Sequence, residues 1–564
     1  MGLICIKRDD FKERGYFVSK LFRDLLLILS LTLLTTYLSV PAAASAEPYY
    51  GKEYSQPEQV LDLYPNPDAN FETPAFTTEG KSFTSQEEMM DFVRKLDKEN
   101  SYIEMSIIGE SIEGRKVPML EFKKGNNTKQ KPTVWIHSQI HGNEPAAGET
   151  ALVMANKLAS EHGEDLLEKI NVVTVPRVNV DGSYHFQRRN VNGLDLNRDH
   201  TKLESPVIKA VHKAFNDKQP EVSIVGHEYG IKHNSETFKE IGEQGSLAYH
   251  DILLQSGRNL GIPEKIRDMS FDLFISNARD KLTERGFSNG IYYTVAGRNE
   301  KGQLIINEPT YGADRGPSNL GLQPAISFIT ETRGIGIGRE SFERRVASAV
   351  TAQMSILETT AQNSNRIKKV VKNARKDTVK YGRKADTDDK IAITMKRKQI
   401  NAQDFMVTDI ATGKPEDLKV EYLSSTEAIP ILERIRPTKY IMPPEYNELA
   451  EKFELMGVDV AKTKRPMKLK VETYNVTDKE VDEREFEGVH QVHVKTDVIS
   501  EKVNIPEGSY VYSMAQPTAN KLPVTLEPES PASFVTWDYI QSEVGKTLPI
   551  YRFMKQRALP VEPN

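Results

Sequence analysis

Between residues 102 and 360 the chain alternates short apolar runs with longer amphipathic stretches. The runs at 102–111, 116–122, 133–140, 171–178, 221–226 and 325–330 have strand length and are rich in β-branched residues. The stretches at 147–161, 206–216, 244–260 and 342–363 space their apolar residues at helical intervals. Ser85 and Glu88 form a capping-box pattern before Met89, Phe92, Val93 and Leu96, which predicts a further helix. Strand and helix in alternation predict an α/β fold, a mixed sheet flanked by helices. The texture changes on either side. Residues 47–80 are rich in Pro, Tyr, Asn and Thr and predict an extended lead-in. Residues 364–400 are basic and polar (Arg366, Lys368, Lys369, Lys372, Arg375, Lys376, Lys380) and predict a linker or the solvated tail of a helix. Many short alternating segments then run through 401–564, as expected of a smaller C-terminal accessory domain, α+β or mainly β. The catalytic domain is expected over 81–363.

The first 46 residues differ from everything that follows. Six basic side chains lie among residues 7–23, an apolar run covers 25–40, and Ala44-Ser45-Ala46 supplies a small-x-small cleavage pattern. This predicts a secretory signal peptide over 1–46 and a secreted, extracellular protein, cell-surface association being the variant of that reading. The run is short for a membrane span, so no stable span is expected after signal removal. The whole chain of 564 residues carries a net charge of −5, and removal of residues 1–46 leaves −7. A mildly acidic chain gives no electrostatic case for nucleic acid. Cys5, the sole cysteine, lies in the presumed signal. The mature chain therefore has neither a disulfide nor a thiol nucleophile, and cannot ligate zinc through cysteine. An exported chain without cysteine is expected to be bacterial.

Chemistry gathers at the ends of the predicted strands, where α/β sheets build their sites. His141-Gly142-Asn143-Glu144 follows the 133–140 run and precedes a helix. A nitrogen and a carboxylate three residues apart on such a turn can face one point and suit zinc. The 221–226 run delivers His227, and the 325–330 run delivers Glu331 ahead of Thr332-Arg333-Gly334. The polar segment 188–199 reads RRNVNGLDLNRD.

In this order the four segments resemble the zinc carboxypeptidases of carboxypeptidase A type, over about residues 80–360. The resemblance implies a carboxypeptidase-like fold and one zinc ion per chain, held by His141, Glu144 and His227. It implies Glu331 as general base, Arg188 beside the developing oxyanion, and Asn197 with Arg198 on the free C-terminal carboxylate of a peptide. It also implies that Asp195 orients His141. Arg189 adjoins Arg188, and spacing to Asn190 favours Arg188. The segment 178–182 has Val where the family commonly has Pro, a turn detail. The family's mobile tyrosine matches best at Tyr311, with Tyr292 and Tyr293 behind it. The expected activity is removal of C-terminal residues from peptides. Cell-wall peptides with D-amino-acid or γ-glutamyl linkages are the alternative substrate, and a non-catalytic binding protein is the alternative class. His137, four before His141, lies within a strand pattern and reads as structural. Glu228 adjoins His227 on an extended segment, so its side chain diverges from the site.

Overall fold

Thirteen strands of the computed structural model build the sheets around the site. They are β1 Ile103–Glu110, β2 Lys116–Phe122, β3 Thr133–Ser138, β4 Asn171–Val175, β5 Val222–Gly230, β6 Ser246–Ala248, β7 Ile252–Ser256, β8 Asn289–Ile291, β9 Thr294–Arg298, β10 Leu304–Asn307, β11 Ile326–Ile335, β12 Lys390–Asp409 and β13 Pro415–Ile435. The structure describes residues 51–77, 82–231, 235–309 and 311–564. The expected signal peptide lies outside them.

Eight strands form the main sheet in the order β1-β2-β4-β3-β5-β11-β7-β8. Its centre, β4-β3-β5-β11, is parallel, and β1, β2 and β7 join it antiparallel. The central strands are buried on both faces, which is why they read as nearly unbroken apolar runs. Along β3, Val134 and Ile136 enter the core shared with the helices Pro145–Leu158 and Phe342–Gln362. Trp135 points the other way and packs with Val207, Ile208 and Phe215 of the helix Pro206–Lys218. The mixed α/β fold predicted from the alternation is the fold observed. Ser85 and Glu88 form the predicted capping box, at 3.1 and 2.8 Å.

The helix predicted over 244–260 does not form. That segment contributes β6 and β7, with β7 on the antiparallel side of β11. Ile252, Leu253 and Leu254 are all fully buried, so no polar face remains for an amphipathic helix. Gly257 ends β7 where a Cβ would lie 2.5 Å from the Pro317 carbonyl oxygen.

Residues 364–400, expected as a linker or the solvated tail of a helix, form a helix and the start of a strand. Ser364–Tyr381 is a helix whose buried Ile367, Val371 and Ala374 join the main core. Residues 390–400 begin β12, one arm of a long antiparallel hairpin with β13. This hairpin lies at the centre of a second sheet, β6-β12-β13-β10-β9. The described part of the lead-in holds two short helices, Glu58–Leu61 and Pro74–Thr77. Val60 and Tyr64 pack there with Ile231, Leu247 and Ile337.

The C-terminal region is β-rich. Seven strands form its sheet, dominated by the hairpin of Met467–Val481 and Val492–Ile505. Tyr440, Phe453, Tyr512 and Phe534 share one hydrophobic cluster with Trp135 and Phe215.

Candidate active site

The site is fixed first by register. In the parallel pair β5–β11, Glu331 lies directly opposite His227, so the two side chains leave the same face of the sheet. Glu228 and Thr332 form the next pair and leave the other face. The chain leaving β3 turns sharply through Gln139, at φ 51°, to deliver His141. Gly142 is required there, because a Cβ would lie 1.9 Å from the Gly182 carbonyl carbon. Glu144 occupies the N-cap position of the Pro145–Leu158 helix, with Pro145 at its first turn.

The three side chains converge. The Glu144 carboxylate faces both imidazoles, with Oε1 at 2.6 Å from His141 Nδ1 and Oε2 at 2.9 Å from His227 Nδ1. One ligand atom from each residue lies within 4.8 Å of the others, and all three residues are buried. Two imidazole nitrogens and one carboxylate oxygen fit zinc, a borderline-soft cation that accepts both donor types. Against the cost of burial, the two histidines hold the Glu144 carboxyl down at about 2. Burial opposes the charged form of His141, yet Glu144 and Asp195 carry its pKa above the usual histidine value.

The 188–199 segment supplies the surrounding shell. Asp195 Oδ1 faces His141 Nε2 at 3.0 Å and accepts from the Asn197 N–H at 2.9 Å, capping the short turn Leu196–Arg198. Arg188 donates to Asp195 Oδ2 from Nη2 at 2.9 Å and lies 3.5 Å from Glu144. Despite burial, His141 and Arg188 hold the Asp195 carboxyl far below the usual range. Asn197 meets His227 Nε2 at 3.2 Å through its Nδ2, while its Oδ1 accepts from the Gly316 N–H at 2.9 Å.

These residues open into a cavity of about 340 Å³ lined in part by His141, Glu144, Arg188, Asn197, Arg198 and Glu331. Burial pushes the Glu331 carboxyl well above its usual range, and the neighbouring Glu144 charge adds to this. A side-chain hydrogen bond from Tyr292 acts in the opposite direction. Arg198 sits 3.9 Å from Asp314; burial and then the nearby Arg315 lower its pKa.

Six of the nine residues predicted for the site line this cavity, and His227 and Asp195 lie directly against them. Tyr311 does not line it; its ring lies under the Arg397 guanidinium at 4.5 Å. Tyr292 is the tyrosine against Glu331. Glu228 borders the cavity, but its carboxylate is held by Arg345 and by the Ala146 N–H at 2.5 Å. Three further residues were not singled out from the sequence. Arg315 and Arg397 line the cavity, and Glu487 reaches the 188–199 segment from the C-terminal region. Arg397 and Glu487 lie in segments with no local motif, and only tertiary pairing brings them in.

Fold and site together define a metal-dependent hydrolase whose centre lies at the carboxyl ends of a parallel-cored sheet. The family model described as zinc carboxypeptidase matches residues 89–248. Carboxypeptidase 2 of Trichophyton rubrum is 30% identical over 500 residues, covering 85% of this chain and 90% of that protein. Carboxypeptidase 2 of Trichophyton tonsurans is 29% identical over 503 residues, covering 86% of this chain and 91% of that protein. Among solved structures, a metallo-carboxypeptidase from Burkholderia cenocepacia aligns at TM-score 0.37 and 17% identity, over 49% of this chain and 69% of that one. The chain belongs to the zinc carboxypeptidase family and is a zinc metallocarboxypeptidase. Both of these relatives are fungal, so the bacterial source expected from the cysteine count draws no support from them. The cell-wall and non-catalytic alternatives are not favoured by these likenesses. Among the described residues no helix is long and apolar enough to cross a membrane.

Proposed function

We propose that the protein releases C-terminal residues from peptides outside the cell, with Glu331 as the group that takes the proton of the attacking water. Register carries this reading: Glu331 leaves the sheet beside His227, next to the His141–Glu144–His227 set. Zinc held by those three residues supplies a Lewis acid that acidifies water and polarises a carbonyl. Glu331 is poised for the proton because burial raises its basicity. Having accepted the proton, it delivers it to the departing amine. Arg188, anchored on Asp195, presents a guanidinium where negative charge grows on the carbonyl oxygen, so it stabilises charge mainly as it forms. Asp195 orients the His141 ring from Nε2, leaving Nδ1 on the Glu144 side. Arg198 and Asn197 receive the terminal carboxylate, and a guanidinium fork suits that planar anion.

The test joins elemental analysis of purified protein to hydrolysis of matched peptides ending in a free acid or an amide. About one zinc per chain is expected, with cleavage of the acids and not of the amides. Equal cleavage of both would remove Arg198 from terminal recognition and make the enzyme an endopeptidase.

A further inference from the structure

The cavity lining carries more positive charge than the reaction uses. Four arginines reach it: Arg188, Arg198, Arg315 and Arg397. Arg188 is engaged by Asp195 and Glu144. The carboxylates that border the cavity are engaged as well. Glu144 lies between its two histidines, Glu228 is paired with Arg345, and Glu331 is hydrogen-bonded to Tyr292. For Arg198, Arg315 and Arg397 the described residues offer one acid within 4 Å, Asp314, whose Oδ2 lies 3.9 Å from the Nε of both Arg198 and Arg315; farther off, Asp195 acts on Arg198 and Glu308 on Arg397.

Backbone holds the two extra guanidiniums in place. Arg315 donates from Nη1 to the Pro309 carbonyl at 2.6 Å, and Arg397 donates from Nε to the adjacent Glu308 carbonyl at 2.6 Å. Arg397 comes from β12, outside the segment the family model matches, and stacks on Tyr311. Arg315 Nε is buried with no hydrogen-bond partner among the described residues. A buried guanidinium N–H without an acceptor is costly unless a ligand supplies one.

Charge counting then names the ligand. Within ion-pair distance Arg198 and Arg315 share one carboxylate, and Arg397 has none among the described residues. The terminal carboxylate of a peptide answers Arg198. We propose that Arg315 and Arg397 take a second carboxylate, so that the enzyme prefers peptides whose C-terminal residue is glutamate or aspartate. An apolar side chain would meet Ile329, Ile335, Pro309 and Pro317 in the lining but would leave that charge unanswered. The proposal rests on the exopeptidase reading above and narrows its substrate class.

The experiment compares kcat/KM for N-blocked dipeptides identical except for a C-terminal Glu, Asp, Gln, Leu or Lys. Glu is expected to exceed its isosteric amide Gln by at least about tenfold, the scale of a charge-assisted hydrogen bond, with Asp also above Gln and Lys the poorest. Arg397→Gln is expected to compress the Glu-to-Gln ratio toward one, and Arg397→Lys to restore part of it. If Arg397→Gln fails to fold, inhibition of the wild-type enzyme by glutarate and by butyrate gives the same answer, and glutarate is expected to bind at least about tenfold more tightly. Gln or Leu peptides cleaved as well as Glu, or a ratio unmoved in a folded Arg397→Gln, would overturn the acidic preference and leave the exopeptidase reading standing. Cleavage of no peptide in the set would bring down both.

Discussion

Glu228 and Glu331 are both buried glutamates on neighbouring strands of one sheet, and both border the same cavity. What separates them is the face each leaves and the partner each meets. Glu228 is neutralised by Arg345 and capped by the Ala146 N–H, so its carboxylate is held in a structural pair. Glu331 meets a tyrosine hydroxyl and no cation at ion-pair distance among the described residues, as the proposed general base requires. A paired substitution separates catalysis from metal binding at this scale. Glu331→Gln is expected to keep zinc while kcat falls about 10²- to 10⁴-fold, the range of general base catalysis. Asp195→Asn is expected to weaken zinc by about 10- to 100-fold, because His141 loses the carboxylate that fixes its ring. Competition for zinc against a chromogenic chelator, read beside steady-state kinetics, checks both. Full turnover by Glu331→Gln would end the assignment of the base.

At the scale of elements, the site depends on a segment that strand and helix patterns cannot place. The 188–199 loop is tied down by Glu487, from the turn between the two long C-terminal strands. Its Oε2 accepts from the Asp195 N–H at 2.8 Å, and its carboxylate pairs with Arg189 at 2.7 Å. The two adjacent arginines thus divide their roles, with Arg188 facing the site and Arg189 facing the C-terminal region. Glu487→Ala would strand a buried Asp195 N–H, a cost of about 1–3 kcal/mol, and would loosen the residue that orients His141. The expected outcome is a lower melting temperature together with weaker zinc binding. A lower melting temperature with unchanged zinc affinity would confine Glu487 to stability. Such contacts were not legible in the sequence, since 292 residues separate Asp195 from Glu487. The His-x-x-Glu pair, His227 and Glu331 were legible because each follows an unbroken apolar run, the mark of a strand buried on both faces, although β5 and β11 continue past His227 and Glu331 to Gly230 and Ile335. The helix Ser364–Tyr381 was obscured for the opposite reason. Its basic residues cover a solvated face and hide the stripe of Ile367, Val371 and Ala374. The 244–260 segment misled because a short apolar run buried all round fits either period.

At the scale of the whole molecule, the two halves share a core and a buried charge. Lys521 is fully buried in the C-terminal region and donates to Met456 O at 2.9 Å and, across to the α/β part, to Gln323 Oε1 at 3.2 Å. Among the described residues no carboxylate offsets its charge, and burial alone brings its pKa down to about 7. His200 and His212 lie within its field, and their own lowered pKa values keep both neutral above pH 7. In the unfolded chain a lysine titrates near 10.4. Between about pH 7 and 10.4 the unfolded chain therefore binds a proton that the folded chain does not, so this residue makes stability rise with pH across that window. Below it both states are protonated and the cost of burying the charge is constant. Lys521→Met removes the titration while keeping an unbranched apolar stem of similar reach. The melting temperature of the wild type relative to this variant is expected to climb from pH 7 to pH 9.5. Because Lys521 bridges the two regions, the climb appears in one cooperative transition if they unfold together. Parallel pH profiles for the two proteins would show that Lys521 finds a counter-charge or water in solution and that the junction is open to solvent.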